Sequence, residues 1–426
     1  MIDQDGLAKR GTIFLDVTEL VALDLRTGIQ RVVREVLRHG MAGASDRPVV
    51  PVMAVGKRFH QLSEKGWERI FAAGTGLAEK RITHERGVRP LVRLGKRLAK
   101  TSAPLYNALQ RIYIRRLVRK HVTDLYRPEP TMMGEGAQLI LLDSFWGGSS
   151  TLLAAKRARQ AGTELVLVVY DLIPVSHPQV CDYRLVRKFR PLMAQAAAMS
   201  DQVLAISQDC ADTFRAEFPA TRPTAFPLGH DLQEDVAPTP EGWPRALWFG
   251  EGYVFVIVGS VEPRKGHETV LDAFERRWAR GETDKLLIIG KVGWDVDELM
   301  ARLDHHREAG RRLFHVHNAT DGMLKEALQR AHGGIIASVV EGFGLPLVEG
   351  LSAGLPMIAS DIAVFREIAD DAALYFAPGD AASLSDAIAS LLADLPERQA
   401  AAAAFKWPDW HEAASIFYTQ IEAGAA

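Results

Sequence analysis

Two glutamates with seven residues between them, Glu341 and Glu349, frame the run Glu341-Gly342-Phe343-Gly344-Leu345-Pro346. The apolar run Gly334 to Ser338 precedes it and reads as a parallel strand, and Pro346 suits the first turn of a helix reaching Ala353. Glycine at 342 and 344 lets backbone approach a ligand closely, and the free amides of a helix start favour anionic oxygen. A diphosphate is the natural occupant of such a strand end. Glu349, about one turn into the helix, can accept hydrogen bonds from ribose hydroxyls, and Glu341 can address the hydroxyls of a sugar. An ordinary strand-turn-helix also displays surface glutamates, so the reading needs partners elsewhere in the chain.

Val258-Gly259-Ser260-Val261-Glu262-Pro263-Arg264-Lys265-Gly266-His267 follows the apolar run Val254 to Val258. A diphosphate leaving group gains negative charge as its bond to a sugar breaks, so cations clustered there stabilise the transition state more than the ground state. Arg264 and Lys265 have the chemistry for that role, although a lone Arg-Lys turn is ordinarily solvated. In the first half, Leu25-Arg26-Thr27-Gly28-Ile29-Gln30-Arg31-Val32 opens an amphipathic helix at Gly28, where either a close ligand contact or a plain helix start accounts for the glycine. Val169-Tyr170-Asp171-Leu172-Ile173-Pro174-Val175-Ser176-His177 ends another strand. It offers Asp171 as an acceptor or sugar ligand, with His177 either approaching the same place or lying on the surface.

These groups need scaffolds. Short β-branched runs at Thr12 to Val17, Val49 to Val55, Gln138 to Asp143, Glu164 to Tyr170 and Val203 to Ile206 alternate with amphipathic stretches. The rhythm repeats at Tyr253 to Gly259, Lys285 to Gly290, Leu313 to His317, Gly334 to Ser338, Leu355 to Ser360 and Ala373 to Phe376. Near-continuous apolar strands between helices predict two buried parallel α/β sheets. Pro238, Pro240, Gly242 and Pro244 mark an interdomain connection between Gln233 and Gly250. The expected organisation is therefore one α/β domain over 1–238, a second over 239–405 and a closing segment over 406–426.

A helical, basic insert is expected over 56–130, whose only acid between Lys80 and Lys120 is Glu85. Its arginines fall beside a helical row that includes Leu105, Leu109 and Ile112, which suits either a solvated face or an anionic membrane surface. The whole chain of 426 residues carries a formal charge of -2, so any attraction to phosphate is local, and no nucleic-acid partner is expected. Cys181 and Cys210 are its only cysteines, which suggests neither a disulfide framework nor a zinc site and fits a reducing compartment. No basic leader or apolar run of membrane-spanning length is evident, so a cytoplasmic location is expected, peripheral at the inner face of the membrane if the insert binds lipid. No G-x-G-x-x-G follows the first strand of either half, which argues against a nicotinamide enzyme.

The Glu341–Glu349 segment resembles the acidic signature of family 4 glycosyltransferases, and the Glu262-Pro263-Arg264-Lys265-Gly266 turn occurs in the same family. That resemblance implies an α/β GT-B fold, two Rossmann-like domains facing each other across a cleft, and retention of anomeric configuration. It also implies a last helix that crosses back onto the first domain, for which Trp407, Trp410, Ile416, Phe417 and Ile421 supply apolar surface. By the resemblance Glu341 contacts the donor sugar and the backbone of Gly342, Phe343, Gly344 and Leu345 contacts sugar and phosphate. Lys265 and Arg264 hold the diphosphate, Glu349 holds the ribose, and Gly28 faces the diphosphate from the first domain. Ser260 stands where relatives often carry a second basic residue, and Tyr170 stands where many have a histidine. Attack on the same face as the departing diphosphate, with Asp171 orienting the acceptor, needs neither a protein nucleophile nor a metal. The Thr27-Gly28-Ile29-Gln30-Arg31-Val32 form looks like a bacterial branch of O-antigen and capsule mannosyltransferases. This implies a nucleotide-sugar donor, GDP-mannose before a UDP-hexose, a glycan or lipid-linked acceptor, and no cofactor. A non-catalytic nucleotide-sugar-binding scaffold is the alternative in kind.

Overall fold

A computed structural model describes residues 11–23, 27–71, 123–147, 150–230 and 243–424. Seven strands build the first sheet: β1 (Ile13–Asp16), β2 (Val49–Val55), β3 (Arg58–Gln61), β4 (Gln138–Leu141), β5 (Glu164–Val169), β6 (Gln202–Ala205) and β7 (Thr224–Ala225). Their order across the sheet is β3-β2-β1-β4-β5-β6-β7. The second sheet has six, β8 (Val254–Val258), β9 (Lys285–Ile289), β10 (Leu313–Val316), β11 (Gly333–Ile336), β12 (Met357–Ser360) and β13 (Ala373–Phe376). Its order, β10-β9-β8-β11-β12-β13, is the doubly wound one, and every pair in it is parallel. Chain order reverses between β1 and β4 in one sheet and between β8 and β11 in the other. Ligands of open α/β sheets bind outside the carboxyl ends of strands at such reversals.

Burial on both faces explains why the central strands are largely apolar. All four residues of β1 and all five of β9 are buried, as parallel strands between two helical layers must be. By density of contacts the chain forms two compact units. The first comprises Met1–Val168, Pro191–Val203 and Tyr418–Ala426, and the second Val169–Arg190 and Leu204–Phe417. Tyr170, Asp171 and His177 therefore belong to the second unit and Gly28 to the first.

The segment expected as a helical insert over 56–130 departs from that expectation at its start. Gly56, at φ +63°, and Lys57 form a two-residue turn that pairs β2 antiparallel with β3, Val55 opposite Arg58. A helix follows at Glu64–Phe71, and Leu62 pairs antiparallel with Tyr126. The basic run from Lys80 to Lys120 lies outside the described residues, as does most of the proline-rich connection.

In the first unit the helix Gly28–His39 buries Val32, Val33, Val36 and Leu37, a spacing that forms one apolar stripe. Gln30 is also buried there, and it donates to Asp143 Oδ1 at 3.2 Å and to Ser144 Oγ at 3.3 Å. Asp143 Oδ2 accepts the Leu20 amide at 2.6 Å. Asp16, at the end of β1, accepts from the Thr18 amide and hydroxyl through Oδ1, while its buried Oδ2 has no partner. Burial pushes both carboxyls above the ordinary range, Asp16 the further because Asp143 adds its charge. The same unit holds the end of the helix Trp410–Ala423. Tyr418 donates to Val36 O at 3.0 Å across Gly40, where a β-carbon would stand 2.1 Å from the tyrosine oxygen.

The second unit packs β8 and β9 against the helix His267–Ala279 through Phe255, Val270, Phe274, Trp278 and Leu286, all nearly inaccessible. The deeply buried Arg277 guanidinium is matched by Asp284, with Nε 2.8 Å from Oδ2, and Trp278 Nε1 donates to the Asp284 carbonyl at 2.8 Å. A buried charge left without such a match costs several kcal/mol, roughly 3 to 5. The pair thus stitches the end of that helix to the strand beside it.

Candidate functional site

The chemistry-bearing residues of the second unit meet where β8 and β11 end. From β8 the chain passes Gly259 and Ser260 into a single turn of tight helix, Pro263–Lys265, and then into the helix His267–Ala279. From β11 it passes Ser338 and Glu341 to Gly344, which sits at φ +113° as N-cap of the helix Leu345–Ser352, with Pro346 in its first turn. Both turns lie at carboxyl ends of adjacent parallel strands, so their side chains converge.

Glu341 is the centre of that convergence. Lys265 Nζ donates to its Oε1, Ser338 Oγ donates to the same oxygen at 2.8 Å, and Arg264 Nη1 lies 2.8 Å from Oε2. Burial alone would raise the Glu341 carboxyl. The Lys265 and Arg264 charges and the two hydrogen bonds outweigh it and hold the group down at about 2. Burial works against the Arg264 cation too, yet Glu341 and Glu262 raise its affinity for the proton. Glu262 is itself aligned, accepting Ser260 Oγ at 2.6 Å while its other oxygen lies 3.4 Å from Arg264 Nε. The result is a partly buried ladder of alternating charge, Glu262, Arg264, Glu341 and Lys265. Its two cations are fixed in place before any anion arrives.

Asp171 belongs to the same neighbourhood. Its carboxylate accepts the Ile173 amide at 3.0 Å. Burial raises its proton affinity, Ile173, Arg264 and Lys265 lower it, and Glu341 raises it again. Gly342 is pressed onto the adjoining backbone, and a β-carbon there would fall 1.9 Å from the Tyr170 carbonyl oxygen. No side chain fits that position, which accounts for the first glycine of the signature. Phe343 turns its ring inward, 4% exposed, edge-on to Trp407 at 5.8 Å, so only its backbone is offered to a ligand.

The remaining expected residues separate. Glu349 lies on the helix Leu345–Ser352 and is 5% exposed, beside the buried Leu347, Val348 and Leu351. His177 closes the short helix Ile173–Ser176 with Nδ1 2.9 Å from Ser176 Oγ. Gly28 opens the helix Gly28–His39 in the first unit, where the Thr27 hydroxyl bonds Gln30 Oε1. Sequence patterning alone does not mark Ser338, Ser207 or Glu262 as parts of the site. Ser207 carries a readable signal, a serine ahead of a helix, and its hydroxyl accepts the Cys210 amide at 3.1 Å. Among the described residues no group of three or more histidine, cysteine or carboxylate side chains is arranged to hold a metal ion. No described helix is long and apolar enough to cross a membrane.

Residues 244–406 match the family described as glycosyl transferases group 1, a span that contains the whole Glu262–Glu341 ladder. The chain is similar to the serotype-specific mannosyltransferase WbdA of Escherichia coli, 34% identical over 278 residues, which is 62% of this chain and 34% of that protein. It thus spans about a third of the length of that relative. It is also similar to a phosphatidyl-myo-inositol mannosyltransferase of Mycobacterium leprae, 33% identical over 190 residues, 42% of this chain and 47% of that one. Among solved structures, Anabaena Alr3699/HepE in complex with UDP and glucose superposes with a TM-score of 0.58 at 14% identity, covering 98% of this chain and 99% of that one. Sucrose-phosphate synthase from Thermosynechococcus elongatus gives 0.60 at 17% identity, covering 98% and 100%. At such identities the likeness shows the fold, and the fold is GT-B, as the sequence resemblance implied.

Proposed function

We propose that this chain, which carries a glycosyl transferases group 1 domain over residues 244–406, is a retaining mannosyltransferase. It transfers mannose from GDP-mannose to a glycan or lipid-linked acceptor in surface polysaccharide biosynthesis. The observation that carries the reading is the pairing of Lys265 and Arg264 with Glu341 at the reversal between β8 and β11. Two preorganised cations at this place can take up the charge that a departing diphosphate acquires, and preorganisation makes them more effective in the transition state than water is. Mannose is favoured by the WbdA and phosphatidyl-myo-inositol mannosyltransferase similarities together with Thr27-Gly28-Ile29-Gln30-Arg31-Val32.

In this reading Glu341 binds sugar hydroxyls, and its negative charge keeps the two cations from repelling each other while the site is empty. The amides beyond Gly342 receive sugar and phosphate oxygen, and Glu349 receives the ribose. Asp171 orients the acceptor. A phosphate oxygen of the leaving group accepts the acceptor's proton as the new bond forms on the face that the diphosphate leaves, so no metal is needed. The basic run Lys80 to Lys120 brings the protein to anionic lipid at the inner face of the membrane.

A thermal-shift series with GDP, UDP, ADP and their sugars tests the donor. A ligand at about 100 times its dissociation constant stabilises by roughly 2.7 kcal/mol. The expected result is a shift with GDP and GDP-mannose, followed by EDTA-resistant release of GDP in the presence of acceptor. A shift with uridine nucleotides alone replaces the donor, and no shift with any nucleotide overturns the reading.

A further inference from the structure

We infer that Ser207, a residue remote in sequence from the signature, is a positioning residue that aims the Gly342–Phe343 peptide at the donor. The inference rests on the transferase reading above. Ser207 stands two residues beyond β6 in extended conformation, 2% exposed. Its hydroxyl has one proton to give, and it gives it to the Gly342 carbonyl at 2.8 Å. The Ser207 hydroxyl oxygen also accepts the Cys210 amide at 3.1 Å and so caps the helix Gln208–Glu217. One side chain thus ties the signature turn to the start of a helix. The helix start is in turn fixed, because the Glu367 carboxylate accepts the Gln208 amide at 2.7 Å and the Asp209 amide at 2.9 Å.

The consequence follows from peptide planarity. The carbonyl of Gly342 and the amide of Phe343 lie in one rigid plane, so holding the oxygen sets the direction of the N–H on the other side. Gly342 is already pressed against the Tyr170 carbonyl, and the Phe343 ring is anchored against Trp407. Between those two contacts the peptide keeps one soft freedom, rotation of its plane, and the Ser207 hydrogen bond removes it. The Phe343 amide then stands preset for oxygen of the donor. Catalysis by fixed dipoles depends on such orientation being in place before the reaction begins.

Two variants separate this role from the helix cap. Ser207→Gly removes the hydroxyl while keeping a residue that caps helices nearly as well, and Ser207→Thr keeps a hydroxyl with the same donor and acceptor capacity. For Ser207→Gly the expected results are kcat at saturating sugar nucleotide lowered tenfold or more, GDP affinity within twofold of wild type, and hydrogen exchange at the Phe343 amide in the presence of saturating sugar nucleotide accelerated tenfold or more. Ser207→Thr should lie within threefold of wild type in all of these. The inference is overturned if Ser207→Gly keeps kcat within threefold, if kcat and GDP affinity fall together by equal factors, or if exchange at Phe343 is unchanged. A wild-type protein inert with every sugar nucleotide would overturn the transfer reading instead, and the exchange measurement would still decide whether Ser207 holds the peptide.

Discussion

The two sheets reverse their strand order at equivalent places and fill those places with opposite chemistry. Between β8 and β11 the second unit sets two cations, Arg264 and Lys265, around one carboxylate whose proton affinity is driven down. Between β1 and β4 the first unit sets two carboxyls, Asp16 and Asp143, whose proton affinities are driven up. Among the described residues no cation answers them, and their partners are two hydroxyls, an amide side chain and backbone amides. The same topology therefore yields one place organised to receive negative charge and another that avoids carrying it. Strand order locates a binding edge, and the residues at the strand ends decide what it binds.

The contrast breaks most visibly at Lys265. Its replacement by alanine should lower turnover by roughly 2 to 4 kcal/mol in barrier height while sparing nucleotide capture, as loss of a preorganised charge stabiliser does. Turnover within a few-fold of wild type would mean that the cations serve folding and not chemistry. A smaller effect is expected at the other edge. The raised Asp16 carboxyl contributes stability that is complete below its unfolded value of about 3.8 and is lost as pH rises towards the folded one. Asp16→Asn cannot ionise and keeps an oxygen for Thr18. It should gain stability relative to wild type as pH rises from 5 to 8. Urea unfolding at the two pH values measures it, and a difference that does not change with pH would show that the first edge is not a protonated one.

The smallest effect concerns His267, directly after the cationic turn. It is 1% exposed, neither ring nitrogen has a partner, and burial followed by the Lys265 charge holds it neutral, with its proton affinity lowered to about 3. Such a group favours the fold above its unfolded value of 6.5, and that contribution is lost as pH falls from there towards 3. His267→Leu removes two unsatisfied polar atoms and should stabilise by about 1 kcal/mol at neutral pH. The gain should widen at pH 5.5, and a melting-temperature difference that shrinks on acidification would contradict it.

What could be read from the chain beforehand follows range of interaction. Glu341, Lys265 and the glycines between strand and helix are local patterns, and the structure brings Lys265 and Glu341 into contact although 76 positions separate them. The apolar runs likewise announced the strands, because a parallel strand buried on both faces leaves a continuous apolar signature. The antiparallel β3 leaves no such signature, since a Gly-Lys turn beside a charged segment looks in sequence like the beginning of an insertion. Ser207 with Gly342, and Gln30 with Asp143, depend on pairings across 135 and 113 positions in which neither partner marks the other. Only the folded chain makes those pairs chemically related.

The fit of Tyr418 over Gly40 has a genetic consequence. Any side chain at position 40 must displace the ring whose hydroxyl reaches Val36, because the first carbon added already overlaps three atoms of the tyrosine. A lesion at Gly40 should then be suppressed by shortening Tyr418, for instance to leucine, and not by changes elsewhere along the helix Gly28–His39. Those two positions, nearly the length of the chain apart, would drift through evolution as a pair, each setting the size permitted at the other.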